Sequence, residues 1–417
     1  APFTLNSITV VDPNIKVPTT HQWSFSIQQE IAPRTVLEVN YIGRRAYHLY
    51  GAYNANQTNI YGNGFLDAFR QVQAGGQSPL INQLYGPDTR RAAAETGSDM
   101  LRRLFPADLR NNAVGTIAQD AARRQQGTNS LSQAAGLGPF FMLSYPQYAG
   151  AMNVIDSNDF STYHALEIQV ERRFSNGFAG QISYTLSKSL DTRSFDPAFT
   201  TVGTGSGQSA SSTPFDLSNR KLNYAISDFD RTHVVQSYVS YELPFGKGKR
   251  FGAGSSGAVQ RVIGGWNLAG FTTLMGGRPF TVYSGFNTVS NIVQSPANCN
   301  GCTRQDGGVF DGPGGFIWYF DQQTTGKFST PAAGQLGNTG RNFFRGPGSV
   351  NFDLSLQKRT AITDRIGFEL RADATNLTNT PTFGFPTAVV SSTIFGRIRD
   401  TVSSQSRKIQ LGAKFIF

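Results

Sequence analysis

Cysteine, histidine and charge are scarce in this sequence. Its 417 residues hold two cysteines and four histidines, and Asp, Glu, Lys and Arg make up only 15%. Cys299 and Cys302 form a single CxxC with no second pair, and the histidines at 21, 48, 164 and 233 lie far from it in sequence. That argues against a structural zinc site, which takes four such ligands. The surrounding stretch is rich in Gly, Asn and Pro, so the helix that a thioredoxin-like pair requires is not expected. The expectation is a loop-stapling disulfide between Cys299 and Cys302 in an oxidising compartment.

Long apolar runs are missing too. A long uncharged stretch, Ser130 to Ile155, is broken by Pro139, Pro146 and several glycines. A spanning helix needs about 20 continuous apolar residues, so spanning helices are excluded. Spanning strands are not, because their signal is alternation, and every lumen-facing residue dilutes the mean hydropathy, here −0.29.

Catalytic and cofactor motifs are also wanting. Gly203–Ser209 is glycine-rich but has no P-loop lysine, no GxSxG elbow occurs, and the histidines provide no persuasive base near a nucleophile. Asp306 to Asp311 lacks the spacing and final Glu of an EF-hand. Asp191, Asp196, Asp216 and Asp228 read as solvated loop acids. No enzyme activity, cofactor or metal is expected. The formal charge of +10 comes from basic residues scattered over turns and loops, with no recognition helix gathering them, so no nucleic-acid partner is expected.

What is abundant is Gly (45), Phe (32) and Tyr (15), a composition of strands and turns. The last eleven residues are the most telling. Ile409, Leu411, Ala413, Phe415 and Phe417 share one parity, and Lys408, Gln410, Gly412 and Lys414 share the other. Period two is a strand with one apolar and one wet face. A final strand of about ten residues with an aromatic end, here carried by Phe415 and Phe417, is how outer-membrane barrels finish.

The same alternation recurs at His21–Glu30, Thr35–Tyr41, Leu166–Phe174, Phe178–Leu186, His233–Leu243, Trp266–Leu274, Phe280–Ser284, Val350–Gln357 and Ile366–Ala374. Asn176-Gly177 marks a tight hairpin, and Trp266–Leu274 with Phe280–Ser284 reads as a further pair. Helix-like fragments at Gly64–Ala74 and Ser98–Leu104 fall within a long connection. Brief links alternate with long loops at about 54–150, 191–230 and 285–345, as periplasmic turns alternate with external loops. Glu167, Glu171, Asp353, Glu369, Arg371 and Asp373 sit on the wet parity. The expected fold is all-β: an antiparallel transmembrane-type β-barrel of ten to twelve strands with long, partly helical external loops. It either closes alone or supplies about half of a 22-stranded barrel. Trp23, Tyr41, Tyr241 and Trp266 suit membrane-interface girdles, with outer-membrane lipid as partner.

Four ordered segments carry a family resemblance. Asp12-Pro13-Asn14 and Thr20–Trp23 lead to Tyr41-Ile42-Gly43; Tyr163–Leu166 and Arg172–Phe174 lead to Tyr184–Asp191. Asp230–His233 precedes Leu243–Gly246, and Arg341-Asn342 precedes Phe352-Asp353 and Arg371–Asn379. The set resembles the C-terminal barrel portion of TonB-dependent, Oar-like outer-membrane receptors with a carboxypeptidase-regulatory-like N-terminal domain. The resemblance covers residues 10 to 417. It implies nutrient uptake, a location in the outer membrane, and the rest of the receptor as partner. The family's plug domain, TonB box and first barrel strands have no counterpart in this sequence, so contact with TonB would come only through those regions. Ala1 stands where a processed product or a piece of something larger would begin. A structural alternative is that a processed fragment, released outside the cell, pairs its open strand edges with further copies into a tube or filament.

Overall fold

The computed structural model describes residues 3–194, 214–290, 294–363, 365–401 and 406–417. Nine long strands form one antiparallel meander, each paired to its neighbour in sequence order. They are β1 (Thr19–Ala32), β2 (Thr35–Asn54), β3 (Ala151–Ser175), β4 (Phe178–Asp191) and β5 (His233–Glu242). β6 (Trp266–Met275), β7 (Ser349–Ala361), β8 (Gly367–Thr375) and β9 (Lys408–Ile416) complete the series. Two short strands bring the sheet to eleven. Ser7–Val11 runs parallel to the start of β3, and Ala225–Ile226 pairs with the end of β4. The sheet stays open, with β1 and β9 as its two edges.

Register carries the alternation across the whole sheet. Phe25 lies opposite Tyr41, Tyr41 opposite Leu166 and Leu166 opposite Leu186. Further along, Leu268 lies opposite Leu356, Leu356 opposite Ala372 and Ala372 opposite Leu411. A one-residue slip in any strand would turn its apolar set to the other face, so nine strands in one phase make one continuous apolar surface. The six wet-parity charges named above all fall on the opposite face, where Asp373 pairs with Arg371 at 2.7 Å.

Turn chemistry explains the short links. Asn176 and Gly177 both have positive φ, 53° and 80°, as the two-residue turn between β3 and β4 requires. Between β1 and β2, Arg34 takes φ 64° and its N–H donates to the Glu30 carboxylate at 2.9 Å. The expected pairing of Trp266–Leu274 with Phe280–Ser284 does not occur. β6 pairs with β5 and β7 instead, while Phe280 and Val282 alternate into a buried loop core. The third long connection therefore begins at residue 276, and a fourth, 376–407, joins β8 to β9.

The four longest connections emerge at one end of the sheet, and the link 243–265, which carries the helix Gly257–Ile263, lies at the other. The first, 55–150, is a helical lobe: α1 (Phe65–Gln73), α2 (Pro79–Leu84), α3 (Gly97–Leu104), α4 (Pro106–Arg110), α5 (Val114–Arg123) and α6 (Leu131–Ala134). Ser78 caps α2, Thr96 caps α3, and Ser130 with Gln133 forms a capping box on α6. Phe65, Phe69, Ile81, Tyr85, Met100 and Ile117 form its core. A second core, built on Phe280, Phe320, Phe328, Phe344 and Phe395, joins the third and fourth connections. Gly115 docks the lobes together: its N–H donates to Asn287 O at 2.9 Å, and a Cβ there would lie 1.9 Å from Val289 O.

Candidate functional site

Two surfaces have functional geometry: the apolar face of the sheet and its loop-covered end. On the apolar face, Trp23, Phe25, Ile27, Leu186, Leu370, Leu411 and Phe415 are exposed. Trp23 and Tyr41 lie toward the loop end, where both rings approach His164. Tyr41 Oη and His164 Nδ1 are 2.9 Å apart, and Tyr184 Oη and His233 Nδ1 repeat the arrangement two strands on at 2.8 Å. Only glycine at 43 admits the Trp23 ring, because a Cβ would come within 2.2 Å of it.

A second group of aromatics lies toward the short turns. Tyr241 packs edge-on with Phe178, and Phe415 lies against Phe368 with centroids 4.9 Å apart. Trp266 takes the Lys358 ammonium over its ring at 5.0 Å, and Lys358 reaches the Gly264 carbonyl at 2.6 Å. Phe417, 92% exposed, follows the last strand on the same parity. The eight-residue step from His233 to Tyr241 is about 27 Å along a strand, so the two groups bound an apolar band. Histidine's part in the loop-end group escaped the sequence reading, although His164 and His233 share the apolar parity.

At the loop-covered end, the Arg341 side chain is wholly buried and ties its own connection to the end of β4 and to the connection that follows it. Its guanidinium donates to the Asp191 carboxylate at 2.8 Å, the Asn223 carbonyl at 3.0 Å, Ser194 Oγ at 2.7 Å and the Asp228 carboxylate at 3.1 Å. Asn342 adds bonds to Asp228 and the Ile226 carbonyl, and Arg345 pairs with Asp230 at 2.5 Å. Asp191 and Asp228 are thus ion-paired structural groups, not solvated loop acids. The cost of burying these charges is offset only because each is bonded on several sides. Asp216 holds a local turn through Ser218. Asp196 and Gly203–Ser209 lie outside the described residues. Nearby, Arg193 pairs with Asp159 at 2.9 Å; burial, first, and then the Arg220 charge lower its pKa from the usual arginine value.

Cys299 is joined to Cys302, with Cα atoms 5.7 Å apart, at the margin of the phenylalanine core. Asp306 accepts from Thr303 and Lys327 rather than facing Asp311. Among the described residues no three His, Cys, Asp or Glu side chains gather to hold a metal. A cavity of about 420 Å³ opens on the polar face where β6 and β7 meet the loops, and Arg231, Arg278, Ser349 and Phe385 line it.

No curated protein matches the chain. Among solved structures it is similar to the outer membrane transporter YddB from Escherichia coli at 9% identity and TM-score 0.39, over 99% of this chain and 34% of that one. It is similar to the ferripyoverdine receptor of the outer membrane of Pseudomonas aeruginosa at 8% and 0.35, over 95% and 27%. For the copper transporter OprC the values are 8% and 0.32, over 97% and 32%. The chain spans about a third of the length of these structures or less. Over residues 1–410 the sequence matches the family described as outer membrane beta barrel domain. With its apolar band, its polar opposite face and its longest loops at one end, the chain belongs to that family and is a protein of the outer membrane.

Proposed function

We propose that the chain is the C-terminal barrel portion of a TonB-dependent, Oar-like receptor that takes up nutrients across the outer membrane. The observation that carries this reading is the nine-strand meander left open at both edges. Closure needs further strands, and a receptor supplies them together with a plug, through which TonB would act. In this reading the apolar band contacts lipid, the polar face lines the lumen, and the loop lobes face outward to meet solute. No catalytic step is assigned to any residue.

The test is isolation of the native complex from outer membranes, with mass spectrometry and single-particle imaging. A closed barrel of about 22 strands with this chain supplying one sector and a plug inside supports the reading. A barrel closed by these strands alone, with no plug, sinks it.

A second reading has its own support. β1 and β9 are the edges of the sheet and nearly all their residues are exposed, so the outward backbone groups of each have no strand partner among the described residues. Such edges recruit strands, and further copies of this chain would fit them. Phe415 and Phe417 on β9 would then act as an assembly signal. Regular tubes or filaments in micrographs of native material would favour this reading over the first.

A further inference from the structure

The cavity at the loop end of the polar face has an unusual charge balance. Two arginines line it and no acidic side chain does. The carboxylates close by are committed elsewhere: Asp228 to Arg341 and Asn342, Asp230 to Arg345. Among the described residues neither Arg231 nor Arg278 has a carboxylate within ion-pair distance. Each is anchored instead by a backbone carbonyl, Arg231 Nη1 on Gly276 O at 2.7 Å and Arg278 Nε on Asp228 O at 3.0 Å. The rest of each planar fork is left for another acceptor.

Burial, first, and then the neighbouring Arg278 charge lower the Arg231 pKa from the ordinary arginine value. An anion between the two forks would relieve that repulsion. Other wall groups fit the same occupant. Ser349 Oγ is shielded and without a hydrogen-bond partner among the described residues. The Phe385 ring lies beneath Arg278, 5.6 Å from its guanidinium carbon, and gives the cavity an apolar side. Gly346 keeps that ring in place, since a Cβ there would come within 2.9 Å of it. A volume of about 420 Å³ suits a small molecule.

We propose that this cavity binds a small organic anion, its carboxylate or phosphate group held between Arg231 and Arg278 and its carbon skeleton against Phe385. The proposal rests on the receptor reading, in which this end of the lumen meets incoming solute, and it names the chemical class that the solute takes.

The experiment is isothermal titration calorimetry of the native outer-membrane complex, carrying the wild-type or variant chain, in detergent with citrate, inorganic phosphate and glucose. Gel migration with and without heating reports the barrel independently. Citrate should bind, glucose should not, and phosphate should bind at least tenfold more weakly than citrate. R231Q/R278Q should abolish citrate binding. R231K/R278K, which keeps the charge but loses the fork, should weaken it tenfold or more. Should the double glutamine variant lose its barrel migration, R278Q alone decides, with a tenfold loss expected. No citrate binding, or undiminished binding in a folded glutamine variant, overturns the proposal while an intact barrel leaves the receptor reading standing. Phosphate binding as tightly as citrate overturns the organic class and marks an inorganic-anion site.

Discussion

Placing an arginine at successive depths on the apolar face tests its contact with lipid directly. β7 has 13 residues, about 44 Å along the strand and about 34 Å across the bilayer at a 40° tilt. Leu354 is one residue from its midpoint and faces the small Gly270 and Ala374 on either side. In Leu354→Arg the charge therefore meets the hydrocarbon near mid-depth, costing about 2–4 kcal/mol. That is about 30-fold to 900-fold in the folding equilibrium. Val350→Arg, four residues nearer the loop end on the same face, should cost about 0–1 kcal/mol. Ser355→Arg points to the polar face beside Asp373 and should be close to neutral. Lys358 shows how the face tolerates charge near its turn end, by reaching a backbone carbonyl. The assay is urea titration of the protein in lipid vesicles, followed by the emission of its three tryptophans, of which Trp23 and Trp266 lie on the apolar face. A core of a water-soluble sandwich would penalise positions 354 and 350 alike, without regard to bilayer depth. Equal costs at both, or a larger cost at 355, would refute the lipid assignment.

The other predictions concern the loops and one packing contact. Arg341→Met leaves Asp191 buried without its cation and should cost about 3–5 kcal/mol, read as faster hydrogen exchange in 214–232 with the strands still protected. In the helical lobe, Tyr85 is wholly buried, and burial, then Asp120, raise its phenol pKa well above the usual value. A raised pKa contributes stability that is complete below the unfolded value of about 10 and is lost as pH rises through the folded value. Proteolysis of the lobe should accelerate near pH 11, and Tyr85→Phe should remove that acceleration at a cost of about 1 kcal/mol for the bond to the Ile117 carbonyl. Gly43→Val should displace the Trp23 ring, seen as a red-shifted emission in vesicles, whereas Gly412→Ala, whose Cβ meets nothing within 4 Å, should leave it unchanged.

The strands were legible in sequence where alternation was strict, and their ends were not. β2 reads clearly from Thr35 to Tyr41 but runs on to Asn54 through two register shifts, with His48 at φ 57°. Each bulge resets the parity, so the pattern looks like a loop. β3 likewise starts at Ala151, but a register shift between Asp156 and Asp159, which meet Arg220 and Arg193, breaks the alternation there. Phe280 and Val282 alternate correctly for a strand, yet period two says nothing of the partner, and they pack into a loop core. The fragments near Gly64–Ala74 and Ser98–Leu104 became α1 and α3, while the shorter α2, α4 and α6 carried too few turns to show a period, and the longer α5 lay in a stretch rich in Arg, Ala and Gln. Arg231, Arg278 and Arg341 come together only through two separate connections, and no spacing could have announced that.

Burial is distributed in the reverse of a water-soluble domain. The largest fully buried side chains, among them Tyr85, Phe65, Phe69, Phe320 and Phe344, all lie in the connections, and none lies in a long strand. Meanwhile Leu411 is 78% exposed on β9. In water alone each such residue would forfeit about 1.5–3 kcal/mol of burial, and nine strands of them could not stay spread out. Lipid removes that penalty and also demands that every backbone group be paired, which a meander satisfies everywhere except at its two edges. The connections face water and have no such second solvent, so they fold around cores of their own: capped helices in 55–150 and clustered phenylalanines in 276–401. Those cores keep Arg341, Arg231 and Arg278 fixed above the strand ends, so the loop-covered end is built with the rigidity of a soluble domain on a wall that faces lipid.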